Sequence, residues 1–296
     1  MSRAKGIVNP ITAKEVRVTL RGHSLPVLVI VVNLILFLAG LLGVFGRASG
    51  MELSGQADYR QFLYVYGALA GILSVIVLIL GCSIASGSIS GEREAGTYDL
   101  LKSAGLSPLA IAGGKLFSTA HISVTVIVSA FPALLIPLVF GGPGLMEVFQ
   151  IIGALLPLAL FSITVGLYYS SVLHSTVAAA AVSAGTVFAF AAIPVLLLAL
   201  TWPAAGTAAA ALSGMGASAS GAPGVTAYLM LADPLTPVAS LVLRQIGEES
   251  LVTGAFTRMG IDPSSFLVRN LTLLSFTVQA AISLLFFILS IGKISE

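Results

Sequence analysis

Six long apolar runs constrain this chain more than any other feature of its sequence. An α-helix needs about 20 apolar residues to cross the hydrocarbon of a bilayer, and each run is long enough. A helix also satisfies its backbone hydrogen bonds within one segment, as a membrane interior requires. The sequence therefore predicts an all-α integral membrane protein with six transmembrane helices, forming one transmembrane domain over residues 1–296. We place the spans at about residues 25–45, 62–86, 116–140, 148–171, 177–200 and 271–292.

Composition narrows the function classes. Hydrophobic residues make up 57% of the chain and charged residues 9%, against roughly 25% charged in soluble domains. No Asp, Glu, Lys or Arg lies at the centre of a predicted span, which argues against an ion-driven carrier. The net charge is +2 and the basic residues follow the membrane topology, so we expect no nucleic-acid partner.

Catalytic and cofactor motifs are missing from the sequence. There is no Gly-x-x-x-x-Gly-Lys-Ser/Thr phosphate loop and no His-Glu-x-x-His zinc motif. The histidines, His23, His121 and His174, have no nearby carboxylate or thiol at metal-ligand spacing. We therefore predict a non-enzymatic chain with no catalytic residues, no metal site and no cofactor of its own.

The N-terminal segment predicts an interfacial helix over residues 7–22. Asn9 and Pro10 form a helix-start signal, and Lys14, Arg17 and Arg21 then share one face. A helix of this kind lies on membrane lipid with its cations near anionic headgroups. A simple basic anchor with no further role is the alternative.

The basic residues also predict the orientation. Nine of them precede the first predicted span, follow the last or lie between spans two and three, whereas the short loops on the opposite side carry only Arg47 and Arg60. By the positive-inside rule both termini and residues 88–115 are cytoplasmic. We expect a multi-pass protein of the plasma membrane.

Residues 88–115, hereafter the polar stretch, concentrate charge between two apolar runs. The hydroxyl of Thr97 is predicted to cap a short helix, with Glu92 and Glu94 just before its positive end. Ser107 and Pro108 are predicted to cap and begin the next helix. The expected product is an amphipathic cytoplasmic helix lying across the mouths of spans two and three.

The polar stretch resembles the signature loop of permeases of the ABC type-2 exporter family. The matching elements are Glu92-Arg93-Glu94, Gly96-Thr97, Tyr98, Leu100-Leu101, Ser107-Pro108 and Gly114-Lys115. The resemblance implies a coupling helix that docks on a separate ABC ATPase subunit, which alone binds ATP and Mg. It also implies a second permease subunit, identical or related. The implied coupling and ATPase-docking residues are Glu92, Arg93, Glu94, Gly96, Thr97, Tyr98, Asp99, Leu100, Leu101 and Lys102.

Within this resemblance the docking residues take two roles. Tyr98, Leu100 and Leu101 would pack into a groove of the ATPase. The charged residues would form a polar rim around them; these are Glu92, Arg93, Glu94, Asp99 and Lys102.

Residues 203–268 are predicted to form an outer segment. Residues 203–225 are nearly all Ala, Gly, Ser, Thr and Pro, which predicts a flexible linker. Short outer or re-entrant helices are expected over residues 235–246 and 251–259, and a disordered outer loop is the alternative.

Two further patterns concern helix packing. Gly67, Gly71 and Gly81 in the second span let helix backbones approach closely, either within one subunit or at a dimer or conduit face. Pro132 and Pro137 predict a kink or break in the outer half of the third span.

The leading hypothesis is the permease subunit of an ABC exporter, which forms the substrate conduit and couples to a separate ATPase. The alternative is a non-transporting docking, assembly or sensory subunit, and a water-accessible path at a dimer interface would discriminate the two. A conduit lined by spans one, two and five would be apolar, which favours lipids, hydrophobic drugs or peptides over sugars as substrates.

Overall fold

The computed structural model describes residues 24–54, 60–98, 107–213, 228–258, 261–262 and 264–295. Within these residues the regular structure is entirely α-helical, and six segments are long and apolar enough to cross a membrane. The predicted fold class is therefore confirmed. The predicted interfacial helix over residues 7–22 lies outside the described residues and stays a prediction.

Eleven helices are described and are numbered here in chain order. They are α1 (Ser24–Ser54), α2 (Gln61–Glu94), α3 (Pro108–Ser129), α4 (Phe131–Leu134), α5 (Ile136–Val139), α6 (Leu145–Val172), α7 (Thr176–Ser213), α8 (Thr236–Ile246), α9 (Glu249–Arg258), α10 (Phe266–Arg269) and α11 (Leu271–Ser295). The six membrane-crossing segments lie in α1, in α2, in α3–α5 taken together, and in α6, α7 and α11.

The third crossing segment is broken, as its prolines predict. Helix α3 ends at Ser129, and the short helices α4 and α5 each carry a proline, Pro132 or Pro137, in the first turn. Proline has no N–H and its ring clashes with the preceding turn, so an uninterrupted helix cannot pass through it without distortion. A turn follows in which Gly141 has a φ of +87° and the Gly142 N–H donates to the Pro137 carbonyl at 2.9 Å.

Helices α2 and α6 form the centre of the bundle, and glycines let them approach each other closely. A Cβ atom on Gly166 of α6 would lie 2.5 Å from the Cys82 carbonyl oxygen of α2. A Cβ atom on Gly81 of α2 would lie even closer to the Ser162 hydroxyl of α6. The small residues of the second span thus serve packing within one subunit, at least at Gly81.

The two other glycines of this pattern differ. A Cβ on Gly67 would meet Ile246 and Val242 of α8, so this position also packs within the subunit. Gly71 has open space around it.

The predicted linker over residues 203–225 is wrong in its first part. Helix α7 continues to Ser213, and residues 214–227 lie outside the described residues. The reason is the high alanine content of residues 204–211, because alanine has the highest intrinsic helix propensity. A run of small residues suits a flexible linker and a helix equally, so this pattern alone does not separate the two.

Short helices join α7 to α11. Helix α8 spans Thr236–Ile246 and α9 spans Glu249–Arg258, near the predicted 235–246 and 251–259. Helix α8 contacts α2, α6 and α11, and Gln245 accepts a hydrogen bond from the Tyr66 hydroxyl near the start of α2 at 3.1 Å. These helices therefore cover the end of the bundle opposite the polar stretch.

Candidate functional site

The polar stretch begins inside the last two turns of α2 and not in a loop. Helix α2 ends at Glu94, and Gly96 takes the left-handed conformation with a φ of +67°. The Thr97 N–H donates to the Glu92 carbonyl at 2.9 Å, and the Gly96 N–H donates to the Arg93 carbonyl at 3.1 Å. This pair of bonds around a left-handed glycine is the Schellman helix end.

The predicted capping of a helix by the Thr97 hydroxyl involves residues from 99 onward, which lie outside the described residues, so it stays a prediction. The Thr97 hydroxyl donates to the Glu92 carbonyl at 3.2 Å and closes the preceding helix. Glu92 and Glu94 lie at the negative end of α2, where the helix dipole disfavours carboxylates. Each of these carboxylates finds a compensating partner on another helix.

Glu92 pairs with Lys115 of α3. The Lys115 ammonium lies 2.6 Å from one Glu92 carboxylate oxygen, and the two side chains are 6% and 28% exposed. A charge this far removed from water needs a partner to remain ionised. The ion pair fixes the first turns of α3 against the last turn of α2.

Glu94 caps the start of α7. Its carboxylate accepts both the backbone N–H and the hydroxyl of Thr176, each at 2.9 Å. The carboxylate thus occupies the positive end of α7. This contact links α2 to the very short connection between α6 and α7.

Tyr98 and Arg93 lie together where the described part of the polar stretch ends. The Arg93 guanidinium lies 4.8 Å from the centroid of the Tyr98 ring, within cation–π range. Tyr98 also packs on an apolar cluster at this end of the bundle. The cluster consists of Ile89, Ile111, Ala112, Leu167 and Ile294, and so joins α2, α3, α6 and α11.

The far end of the polar stretch agrees with the prediction. The Ser107 side chain accepts the Ala110 N–H at 3.2 Å, and Pro108 occupies the first turn of α3. Asp99, Leu100, Leu101 and Lys102, together with Lys14, Arg17 and Arg21, lie outside the described residues. Their predicted docking and interfacial roles stay predictions.

Three residues that join the helices here were not among the predicted site residues: Lys115, Ser170 and Thr176. The Ser170 hydroxyl oxygen accepts the N–H groups of Ile89 at 2.9 Å and Ser90 at 3.0 Å, which ties α6 to α2. Thr176 carried a usable signal, because a Ser-Thr pair before an alanine-rich run is typical of a helix start. No sequence pattern around Ser170 indicated its role.

The described residues offer no metal centre, since no three His, Cys, Asp or Glu side chains among them group closely enough to hold an ion. The contacts described above instead hold the ends of several helices together. Two carboxylates, one serine and one apolar cluster fasten the ends of α2, α3, α6, α7 and α11 around the base of the polar stretch.

Comparison with known protein families agrees with this geometry. Residues 9–292 match the family model described as ABC-2 family transporter protein. No curated protein gives a significant match to the chain. The family match covers the polar stretch and all six membrane-crossing segments except the last three residues of the sixth. The chain therefore belongs to the ABC-2 transporter family and is a non-catalytic membrane component for transport.

Proposed function

We propose that the chain is the permease subunit of an ABC exporter. Two such subunits, identical or related, would enclose the substrate conduit. A separate pair of ABC ATPase subunits would bind ATP and Mg, hydrolyse the ATP and dock on the polar stretch. The permease would contribute no cofactor and no catalytic residue.

The observation that carries this proposal is the way the polar stretch is fastened to several helices at once. Glu92 holds α3 through Lys115, and Glu94 holds α7 through Thr176. Tyr98 rests on the cluster that includes Ile294 of α11. A displacement of the docking residues would therefore move α2, α3, α7 and α11 together, as coupling to an ATPase requires.

The distribution of basic residues supports the membrane orientation that this proposal requires. The basic residues predict that both termini and the polar stretch face the cytoplasm of a cell whose plasma membrane holds the protein. An ATPase reaches the polar stretch only from that side. Lys14, Arg17 and Arg21 would hold the N-terminal helix at the same membrane face, where it would move with the ATPase.

A cleft on the surface of α7 supports the proposal that the conduit is apolar. An open cleft of about 560 Å³ lies between α7 and residues 228–232, lined by apolar groups such as Phe190, Ile193 and Leu229. Among the described residues that line the cleft, only Thr186 carries a hydroxyl. We propose that a second subunit faces this cleft, and that lipids, hydrophobic drugs or apolar peptides are the substrate class.

Copurification tests the proposal. The protein, extracted from native membranes in mild detergent, should carry a stoichiometric nucleotide-binding subunit. Leu101→Asp should remain in the membrane but lose the ATPase at least about tenfold, as expected for an apolar anchor at an interface. Leu251→Asp is the matched control, because Leu251 is an exposed leucine on α9 at the opposite end of the bundle.

Transport assays complete the test. Leu101→Asp should abolish ATP-dependent export, whereas Leu251→Asp should retain it. If the wild-type chain purifies alone or with an unrelated partner, the exporter proposal is overturned in favour of a docking or sensory subunit. Normal export by Leu101→Asp would also contradict the docking role of the polar stretch.

A further inference from the structure

A polar cavity lies at the end of the bundle opposite the polar stretch, where α8, α9, α10 and the start of α11 meet. Its volume is about 340 Å³. Arg244 and Arg269 line it together with one carboxylate, Glu249. Two positive groups and one negative group give the cavity wall a net charge of +1.

The two arginines differ in their partners. The Nε atom of Arg244 donates to Glu249 at 2.9 Å, which leaves the terminal nitrogens of its guanidinium for another acceptor. Arg269 has no ion-pair partner among the residues that the structure describes. The nearby carboxylate of Asp262 accepts the N–H and hydroxyl of Ser264 at 2.9 and 2.8 Å.

The remaining wall suits an anion with an apolar attachment. Ser240 and Thr272 place their hydroxyls 2.9 Å apart at the cavity. Val252, Val268 and Leu271 supply apolar surface beside them. Guanidinium groups bind phosphate oxygens through paired N–H donors, and hydroxyls add further hydrogen bonds.

The position of the cavity next to the membrane-crossing helix α11 indicates which kind of anion it would bind. Arg269 ends the short helix just before the membrane-crossing helix α11. Leu273, in the first turn of α11, is 66% exposed and continues the apolar outer face of that helix. A phosphate held at Arg269 would therefore lie at the water–lipid boundary, with any attached acyl chain able to run along α11.

We propose that this cavity binds the phosphate group of an anionic lipid, with Arg269 as the principal contact and Arg244 as the second. The proposal concerns the α8–α11 end and does not depend on the ATPase-coupling function. A free phosphate ion shares the same chemistry, so the test has to separate the two sources.

Native mass spectrometry of the purified full-length protein provides the lipid arm of the test. Phosphatidylglycerol and phosphatidylcholine are titrated separately into the detergent-solubilised protein. We expect phosphatidylglycerol to bind at least about fivefold more tightly, and Arg269→Gln to remove that preference. Arg47→Gln is the control, because Arg47 is an exposed arginine near the same end, above the Tyr64 ring, and its loss changes the net charge equally.

A second arm measures the melting temperature in inorganic phosphate and in chloride at equal ionic strength. Stabilisation by phosphate that disappears in Arg269→Gln, without any preference between the lipids, would assign the site to a free anion and reject the lipid. Should Arg269→Gln fail to fold, Arg269→Lys keeps the charge without the forked donors and should bind phosphatidylglycerol with intermediate affinity. Equal binding of both lipids with no phosphate effect, or equal losses in Arg269→Gln and Arg47→Gln, overturns the proposal.

Discussion

The Nζ atom of Lys115 lies 2.6 Å from a carboxylate oxygen of Glu92, and this ion pair bridges the two ends of the polar stretch. The pair is largely shielded from solvent, because the Lys115 side chain is only 6% exposed. It therefore sets the distance between α2 and α3 at the point where an ATPase would act.

Removing one partner of this pair should be costly. Lys115→Met leaves the Glu92 carboxylate in a poorly hydrated position, so we expect the free energy of unfolding to fall by about 3 kcal/mol. The double variant Glu92→Gln/Lys115→Met should recover more than half of that loss, since it removes both charges of this pair. Melting temperatures in detergent of the four proteins of this double-mutant cycle provide the measurement, and strictly additive losses would show that the two side chains do not interact.

The six apolar runs predicted the fold class because membrane burial imposes a length and composition that can be recognised within each segment. The ends of the helices were harder to predict. The sequence predicted a second span ending near residue 86, with Glu92 and Glu94 outside it and just before the next helix, because carboxylates favour a positive helix end. In the structure they end α2 and are satisfied by Lys115 and Thr176.

Both partners are distant in the chain, 23 and 82 positions away respectively. A sequence pattern reports the local preference of a carboxylate but not the element that tertiary packing brings to it. By contrast, the Ser107 cap and the proline breaks at Pro132 and Pro137 depend on neighbouring residues only. These were predicted correctly from the sequence.

The close approach of α2 and α6 at Gly166 gives a second prediction. A Cβ atom there would lie 2.5 Å from the Cys82 carbonyl oxygen, so Gly166→Ala has to push the two central helices apart. We expect a loss of about 1–3 kcal/mol in the free energy of unfolding, typical of overpacking. Gly153→Ala on the same helix is the matched control, because no atom lies within 4 Å of its added methyl group.

The control should be neutral or stabilising, since alanine is the better helix former. Thermal unfolding in one detergent compares the two variants directly. Equal melting temperatures for Gly166→Ala and Gly153→Ala would mean that the α2–α6 contact is looser than the structure indicates.

Gln279 of α11 gives a third prediction, in which the substitution should increase stability and not reduce it. Its side chain is 1% exposed, and within the described residues neither its amide nitrogen nor its oxygen has a hydrogen-bond partner. An unsatisfied buried polar group costs about 1–3 kcal/mol. Gln279→Met has a similar length and carries no such group, so it should raise the melting temperature.

The same substitution at Gln245 is the control for this prediction. Gln245 accepts from the Tyr66 hydroxyl and donates to the Glu147 carbonyl and to Gln150, at 3.0–3.2 Å. Gln245→Met should therefore lower the melting temperature. A loss of stability in Gln279→Met as large as that in Gln245→Met would reveal that Gln279 is hydrogen-bonded in solution.

The buried carboxyl of Asp233, just before α8, predicts a dependence of stability on pH. Asp233 is 3% exposed, and its oxygens accept the Leu235 N–H at 2.8 Å and the Thr236 hydroxyl at 3.0 Å. Burial raises the pKa of this carboxyl from 3.8 to about 6, although the two hydrogen bonds lower it in part. Between these two values the folded protein retains a proton that the unfolded chain has released.

Stability should therefore fall as the pH rises from about 4 to about 6, and the loss should remain at higher pH because both states are then ionised. A pKa difference of about two units corresponds to about 3 kcal/mol. Asp233→Asn stays neutral and retains an acceptor for the Leu235 N–H, so its advantage over the wild type should grow across this range. Melting temperatures of both proteins at pH 4.5 and 7.5 measure this difference, and parallel pH curves would show that Asp233 has an ordinary pKa in the folded protein.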